Sequence, residues 1–313
     1  MRIVLYDAEG HDSETSLAEL PGGEPGDTRL LWLNAELAEL RAAKLPASLA
    51  EAVRAFDAGD TLVRLREDHY SFAVPSWRGN GEHADCRLAM LVGHNWLITL
   101  GDGAAPAFDN FVEQDTGETM KGRLTASTLA AALLSEHLVE IRRRLSAVDS
   151  EIDKLEDAIL RDPDRRSALP VLAVLRRRVA RLREVVAAHR PVIHTLVRPD
   201  FLPEVAAEDR THFEHLADNF ARLEGEIARA RDTVVGSFEL YATRVAQDTN
   251  RLLKALTVTT VITGMVAALA GVFGMNFKIP YFDTGVAGFT GVVVAMVALA
   301  GVLVALGLWR RWF

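Results

Sequence analysis

Apolar positions along the chain change their period twice, and each change marks a different kind of structure. Up to about Phe111 the apolar runs are short. Thr61 to Arg66 and Tyr70 to Pro75 predict strands, and Cys86 to Val92 with Trp96 to Leu100 predict a hairpin around Gly93-His94-Asn95. Asn34 to Arg41 and Ser48 to Phe56 carry helical spacing, with Asn34 and Ser48 as expected N-caps. Residues 1–120 therefore read as an α+β (α/β) domain with a mixed sheet.

From Ser127 the period becomes helical and stays so. Leu134, Leu138, Ile141, Leu145, Val148, Ile152, Leu155 and Ile159 line one face of a helix that ends at Asp162-Pro163. A second helix, from about Arg165 to Val197, crowds Arg176, Arg177, Arg178, Arg181 and Arg183 together. Residues 127–200 are thus expected as two long antiparallel helices. The arginines should face solvent or pair with Glu151, Asp153, Glu156 and Asp157; a lipid-headgroup or partner site is the alternative.

A third helix has no plausible break from about Pro203 to Gly274. Phe213, Leu216, Phe220, Leu223, Ile227, Val234, Tyr241 and Val245 keep a heptad spacing, which predicts a stalk over residues 203–254 packed along its length. Charge then disappears. No Asp, Glu, Lys or Arg lies between Lys254 and Lys278, nor between Asp283 and Arg310, leaving uncharged stretches of 23 and 26 residues. At about 1.5 Å per residue, each can cross a hydrocarbon core of about 30 Å. The expectation is a C-terminal hairpin of two membrane spans, 255–275 and 285–309, with loop 276–284 between them and a basic tail at 310–313.

Basic residues orient the hairpin. Arg244, Arg251 and Lys254 precede the first span and Arg310 and Arg311 follow the second, so both ends are expected in the cytoplasm of a bacterial inner (plasma) membrane protein. The opening residues MRIVLYDAEGHD lack the basic and apolar regions of a signal peptide. Lone Cys86 excludes an intrachain disulfide and fits a reducing compartment. The formal charge of −8 is uneven: residues 1–120 carry 9 Lys or Arg against 21 Asp or Glu, a net of −12, and the rest sums to +4. An acidic domain attracts cations and repels nucleic acid.

One face of the third helix bears chemistry. Steps of four and three from Asp232 give Gly236, Glu239, Thr243, Ala246, Asn250, Leu253, Thr257, Thr260, Gly264, Ala267, Gly271 and Gly274. Within the span this stripe is almost wholly small or hydroxylated, while Val258, Val261, Ile262, Val266, Leu269 and Val272 lie elsewhere. Two readings compete. The stripe is a seam for close helix packing, its Thr hydroxyls bonded to their own backbone. Alternatively it faces an axial path between parallel copies, where small side chains leave room for a hydrated ion and oxygens offer ligands. Asp232, Glu239, Thr243 and Asn250 favour the second, because a cation vestibule uses them and a packing seam does not.

Gly274-Met275-Asn276 at the end of the first of two C-terminal spans, with the terminal cluster Trp309-Arg310-Arg311-Trp312-Phe313, resembles the CorA superfamily of divalent-cation transporters. That superfamily includes bacterial magnesium channels, the zinc transporter ZntB and mitochondrial magnesium channels. The resemblance implies a homopentameric funnel in the membrane, with the stripe from Asn250 to Gly274 towards its axis. It also implies a ring of Asn276 amides at the outer mouth, shaped by Gly274 and Met275, and an apolar gate near Leu253 and Leu256. The cargo would be Mg²⁺, Co²⁺, Ni²⁺ or Zn²⁺, with no cofactor and no enzymatic reaction. Phe277-Lys278 follows the tripeptide where magnesium-type members often carry an acid and ZntB-type members glycines; Asp283 is the nearest offset to Lys278. The ion therefore stays open between a Mg²⁺/Co²⁺ channel and a ZntB-like Zn²⁺ transporter, with proton coupling as the alternative mechanism for the latter.

Other chemistry is sparse. His212, His215 and Asp218 stand three apart on one helical face as a candidate N,N,O metal set. Gly101-Asp102-Gly103 matches no phosphate-binding pattern, and no nucleophile with a matching base is evident. A membrane-anchored coiled-coil structural or sensory protein is the reading from another class.

Overall fold

The computed structural model describes residues 1–7, 13–16, 29–56, 63–78, 81, 84–101, 108, 125–161, 168–198, 207–274 and 285–309. They fall into two compact units, one of residues 1–154 and 170–236 and the other of residues 155–169 and 237–313.

The first unit is built on a seven-stranded sheet in the order β2-β1-β3-β7-β6-β5-β4. Its strands are β1 (Arg2–Asp7), β2 (Ser13–Glu14), β3 (Arg29–Ala35), β4 (Arg64–Leu65), β5 (His69–Ser76), β6 (Cys86–Gly93) and β7 (Trp96–Gly101). Only β3 and β7 pair in parallel, with Leu31 opposite Trp96 and Ala35 opposite Leu100. A parallel pair needs a crossover. Here it contains α1 (Leu37–Ala42), α2 (Ala47–Ala55) and strands β4 to β6.

Both faces of the central strands are covered, so alternation of polar and apolar residues is lost. Leu31, Leu33, Ile98 and Leu100 point to one face and pack with Leu40 of α1 and Leu49 and Val53 of α2. Trp32 and Thr99 lie on the other face and are equally buried. Burying polar atoms there requires partners. Trp32 Nε1 donates to Thr99 Oγ1 at 3.0 Å, and Thr99 Oγ1 donates to Asn34 Oδ1 at 3.0 Å.

Three expectations change here. Asn34 is no helix cap but a buried strand residue, because the run Leu30-Leu31-Trp32-Leu33 fills the middle of the sheet. The helix starts later, at a reciprocal capping box between Glu36 and Glu39. Ser48 is likewise inside α2, which Pro46 precedes as N-cap. The expected strand Thr61–Arg66 is reduced to Arg64–Leu65 among the described residues. The β6–β7 hairpin stands as expected, and Gly93 at its turn is required by close approach: a Cβ there would overlap the Trp96 ring.

Helices α3 (Ala126–Arg161), α4 (Ala168–Leu196) and α5 (Ala207–Phe273) follow. At its N-terminal end α3 reaches the sheet, where Tyr70 Oη donates to Ser127 Oγ at 3.3 Å. His137 of α3 and His189 of α4 stack with ring centroids 5.2 Å apart, and Arg178 Nη1 of α4 donates to Glu151 at 2.6 Å. Those two contacts run in opposite senses along the helices, so α3 and α4 are antiparallel. Arg178 of the basic run thus meets Glu151, one of the expected acids. Asp157 pairs instead with Arg161 on its own helix, and Glu156 accepts from Ser237.

Phe213, Leu216, Phe220, Leu223, Ile227, Ala230, Val234 and Ser237 of α5 are buried at alternating steps of three and four. This is the heptad seam, but it stops there. Tyr241 is half-buried and Val245 exposed, so the expectation of packing along the whole stalk holds within one chain only as far as Ser237.

In the second unit α5 runs on to Phe273 and is followed by α6 (Val286–Trp309). Both are long and apolar enough to cross a membrane. The 67 residues of α5 make a rod of about 100 Å at 1.5 Å each. Gly285, with φ +63, enters α6 through a backbone conformation that favours glycine.

Candidate functional site

The stripe from Glu239 to Gly274 lies on α5 in the second unit, and every one of its residues is exposed. Asp232 and Gly236, at the end of the first unit, are exposed as well. Another line of the same helix is not. Ala255, Val258, Ile262, Val266 and Leu269 are half-buried, as are Val292, Met296, Ala300 and Leu303 of α6. One apolar line of the span, Val258, Ile262, Val266 and Leu269, is thus partly shielded within one chain, while the stripe is bare, as are Val261 and Val272.

Glycine positions show how bare. A Cβ built on Gly236, Gly264 or Gly271 meets nothing within 4 Å. Among the described residues, no element of the same chain uses the close approach those glycines permit. Gly274 differs: its N–H bonds Ala270 O at 2.9 Å, and an added Cβ would come within 3.1 Å of that carbonyl. It closes the helix where the tripeptide begins.

The threonines are oriented by their own helix. Thr257 Oγ1 donates to Leu253 O at 2.8 Å, and Thr260 Oγ1 to Leu256 O at 2.8 Å. The hydroxyl has one proton, so each such bond leaves an oxygen that can only accept. That is the polarity suited to a cation or to the water around it. Toward the cytoplasmic end expected for α5, Thr243, Glu239 and Asp232 continue the face, and Leu253 and Leu256 present bare apolar side chains at 53 % and 63 % exposure.

Met275, Asn276, Lys278 and Asp283 lie outside the described residues. His212, His215 and Asp218 are exposed on α5, and among the described residues no group of three His, Cys, Asp or Glu side chains is gathered to hold a metal. Sequence spacing gave no reason to pair His137 with His189, yet they stack in the interior. A signal was present: His137 sits beside Leu134, Leu138 and Ile141, and His189 lies four residues from Val185 and from Ile193, so both occupy apolar faces.

Comparison with known proteins adds the family. The model of the CorA-like Mg2+ transporter protein family matches residues 35–306. The cobalt/magnesium transport protein CorA of Methanocaldococcus jannaschii is 25 % identical over 289 residues, which cover 89 % of this chain and 90 % of that protein. The CorA protein of Thermotoga maritima is 26 % identical over 185 residues, 59 % of this chain; there the match spans about half (51 %) of the relative's length. Among solved structures, the complete CorA magnesium transporter of M. jannaschii superposes with a TM-score of 0.75 at 21 % identity, covering 100 % of this chain and 99 % of that one. The ZntB cytoplasmic domain of Vibrio parahaemolyticus gives a TM-score of 0.58 at 11 % identity over 79 % of this chain and 98 % of that domain. These structures share the fold: a soluble α/β domain, a long helix and, in the complete transporter, a C-terminal apolar helix.

Proposed function

The chain belongs to the CorA-like Mg2+ transporter family, and from that premise we propose that it carries divalent metal cations across the bacterial inner membrane. The path is the stripe of α5, enclosed by several copies of the chain, five by resemblance to the superfamily. Asn250, Leu253, Leu256, Thr257, Thr260, Gly264, Ala267 and Gly271 line it. Asp232, Glu239 and Thr243 form the cytosolic vestibule, and Gly274, Met275 and Asn276 the outer mouth. Both termini lie in the cytoplasm. The family consists of transporters rather than enzymes, in keeping with the lack of a nucleophile–base pair in the sequence.

One observation carries the reading: the oxygen-bearing and glycine positions of the α5 stripe are bare in the single chain, its threonine hydroxyls spend their protons on their own backbone, and the line Val258, Ile262, Val266 and Leu269 beside it is half-buried. A hydrated divalent ion needs room and acceptor oxygens, and Mg²⁺ gives up its water reluctantly. The bare glycines supply the first and the threonines the second. Leu253 and Leu256, interleaved with Arg251 and Lys254 at the cytoplasmic end of the span, suit a constriction that closes by dewetting.

Mg²⁺ or Co²⁺ is the first reading of the ion, after the two CorA relatives. Zn²⁺ is the second, kept open by Phe277-Lys278 after the tripeptide. Passive flow is favoured over proton coupling, since no Asp, Glu or His lies between Lys254 and Lys278. An inside-negative potential supplies about 2.3 kcal/mol per charge per 100 mV. The test is flux into liposomes containing the purified chain and a Mg²⁺ or Zn²⁺ dye, with Co²⁺ and Ni²⁺ as competitors. Uptake should depend on the metal gradient and be lost in Asn276→Ala. Absence of flux for every divalent ion overturns the reading, and uptake driven by a pH gradient alone overturns the passive mechanism.

A further inference from the structure

A cavity of about 130 Å³ opens between α3, α4 and the segment after β5, and it shares no residue with the stripe on α5. Its floor is apolar, from Val148 of α3 and Leu182 and Val185 of α4, and the indole of Trp77 forms one wall. The charged side chains among its described lining residues are Arg144, Arg178 and Arg181, with no carboxylate.

Arg144 is fixed before any ligand arrives. Its guanidinium carbon lies 4.6 Å over the Trp77 ring, its Nε donates to Glu140 Oε1 at 2.8 Å, and its Nη1 donates to the Gly81 carbonyl at 2.8 Å. Glu140 also accepts from Arg143 at 2.7 and 2.9 Å, so one carboxylate answers two guanidiniums. Burial alone would raise the Glu140 carboxyl, but those two arginines hold it below its ordinary range, so it stays ionised and spent on them. Arg178 likewise donates to Glu151 at 2.6 Å, so two of the three guanidiniums reach the cavity already oriented by carboxylates outside its described lining. A guanidinium that has already lost its rotamer freedom binds with less entropic cost.

We propose that this cavity binds a small phosphate monoester, its phosphate among Arg144, Arg178 and Arg181 and its organic part against Trp77 and the apolar floor. Three guanidiniums match a dianion better than a single carboxylate, and their planar forks suit phosphate oxygens. A space of about 130 Å³ has room for the phosphate and one ring.

The experiment titrates the full chain in detergent, at fixed free Mg²⁺, with phenyl phosphate, inorganic phosphate and benzoate, read by calorimetry and thermal unfolding. Phenyl phosphate should bind most tightly and raise the unfolding temperature. Arg181→Met should weaken it by about tenfold or more, the worth of a charge-assisted contact. Because loss of an arginine can disturb folding, Ala147→Glu provides the second variant. Ala147 is exposed on α3 and lines the cavity, so a glutamate there keeps the helix and sets a carboxylate against the arginines. It should abolish phenyl phosphate binding without lowering the ligand-free unfolding temperature. The proposal is overturned if the wild-type chain binds no phenyl phosphate at millimolar concentration, if benzoate or inorganic phosphate binds as tightly, or if Ala147→Glu binds it unchanged.

Discussion

The Ser237 hydroxyl donates a hydrogen bond to Glu156, and Ser237 is the last buried side chain along α5 among the described residues. A hydroxyl thus ends a seam that is otherwise apolar from Phe213 to Val234. Beyond it the helix has no buried residue.

Ser237→Ala removes the donor and leaves a half-buried carboxylate short of one bond. Hydrogen bonds to charged groups contribute about 1.5–3 kcal/mol when buried; partial exposure of Glu156 lowers the expected loss to roughly 1–2 kcal/mol. Urea unfolding of the variant against the parent measures it. An unchanged midpoint would show that the bond adds nothing to stability.

Acid should destabilise the first unit through the stacked histidines. Burial, with a smaller push from Arg144, lowers the pKa of His137 from 6.5 to about 4, although its bond with the Pro75 carbonyl works the other way. Burial and then the nearby His137 take His189 to about 3. Both folded values lie below the unfolded one, so the unfolded chain binds protons first as pH falls. Stability is fully present above pH 6.5 and is lost between there and about 4 for His137 and 3 for His189. At about 1.4 kcal/mol per unit, His137 alone is worth roughly 3 kcal/mol. His189→Leu should flatten the fall of unfolding temperature below pH 6.5; a slope identical to the parent's refutes the assignment.

Thr260→Val keeps the shape of the side chain and deletes its oxygen. If the stripe lines an ion path, flux should fall by roughly tenfold, the effect of about 1.4 kcal/mol on a barrier. Thr259 also bonds its own backbone, to Ala255 O at 2.9 Å, but lies off the stripe. Thr259→Val should leave flux unchanged. Equal effects from the two substitutions would return the stripe to the role of a packing seam.

Gly93→Ala places a methyl group into the Trp96 ring at the β6–β7 turn. Overpacking of this kind costs about 1–3 kcal/mol. Thermal unfolding should register a drop, and the hydroxyl stripe should be untouched, so residual flux per folded molecule should match the parent.

Much of this was legible in the sequence. The hairpin Cys86 to Leu100 and the three long helices were found within a few residues, because turn residues and helical period are local signals. Strands β1 and β3 were not. Leu30-Leu31-Trp32-Leu33 has no alternation to betray a strand, since the sheet is covered on both faces. Asn34 then looked like a cap, although its amide is buried against Thr99. The bare stripe was legible for a related reason: among the described residues nothing in the same chain covers that face, and the helical period alone places its residues together.

By itself the sequence determined the two membrane-length helices, the stripe from Asp232 to Gly274 and the heptad of the stalk. Each depends only on residues within a few turns of one another. The tertiary structure decided that β3 sits at the centre of the sheet, that the seam of α5 ends at Ser237, that His137 meets His189, and that Arg144 lies over Trp77. Those contacts join positions dozens of residues apart. Which apolar face is covered, and by what, is a property of the packed molecule rather than of any stretch of chain.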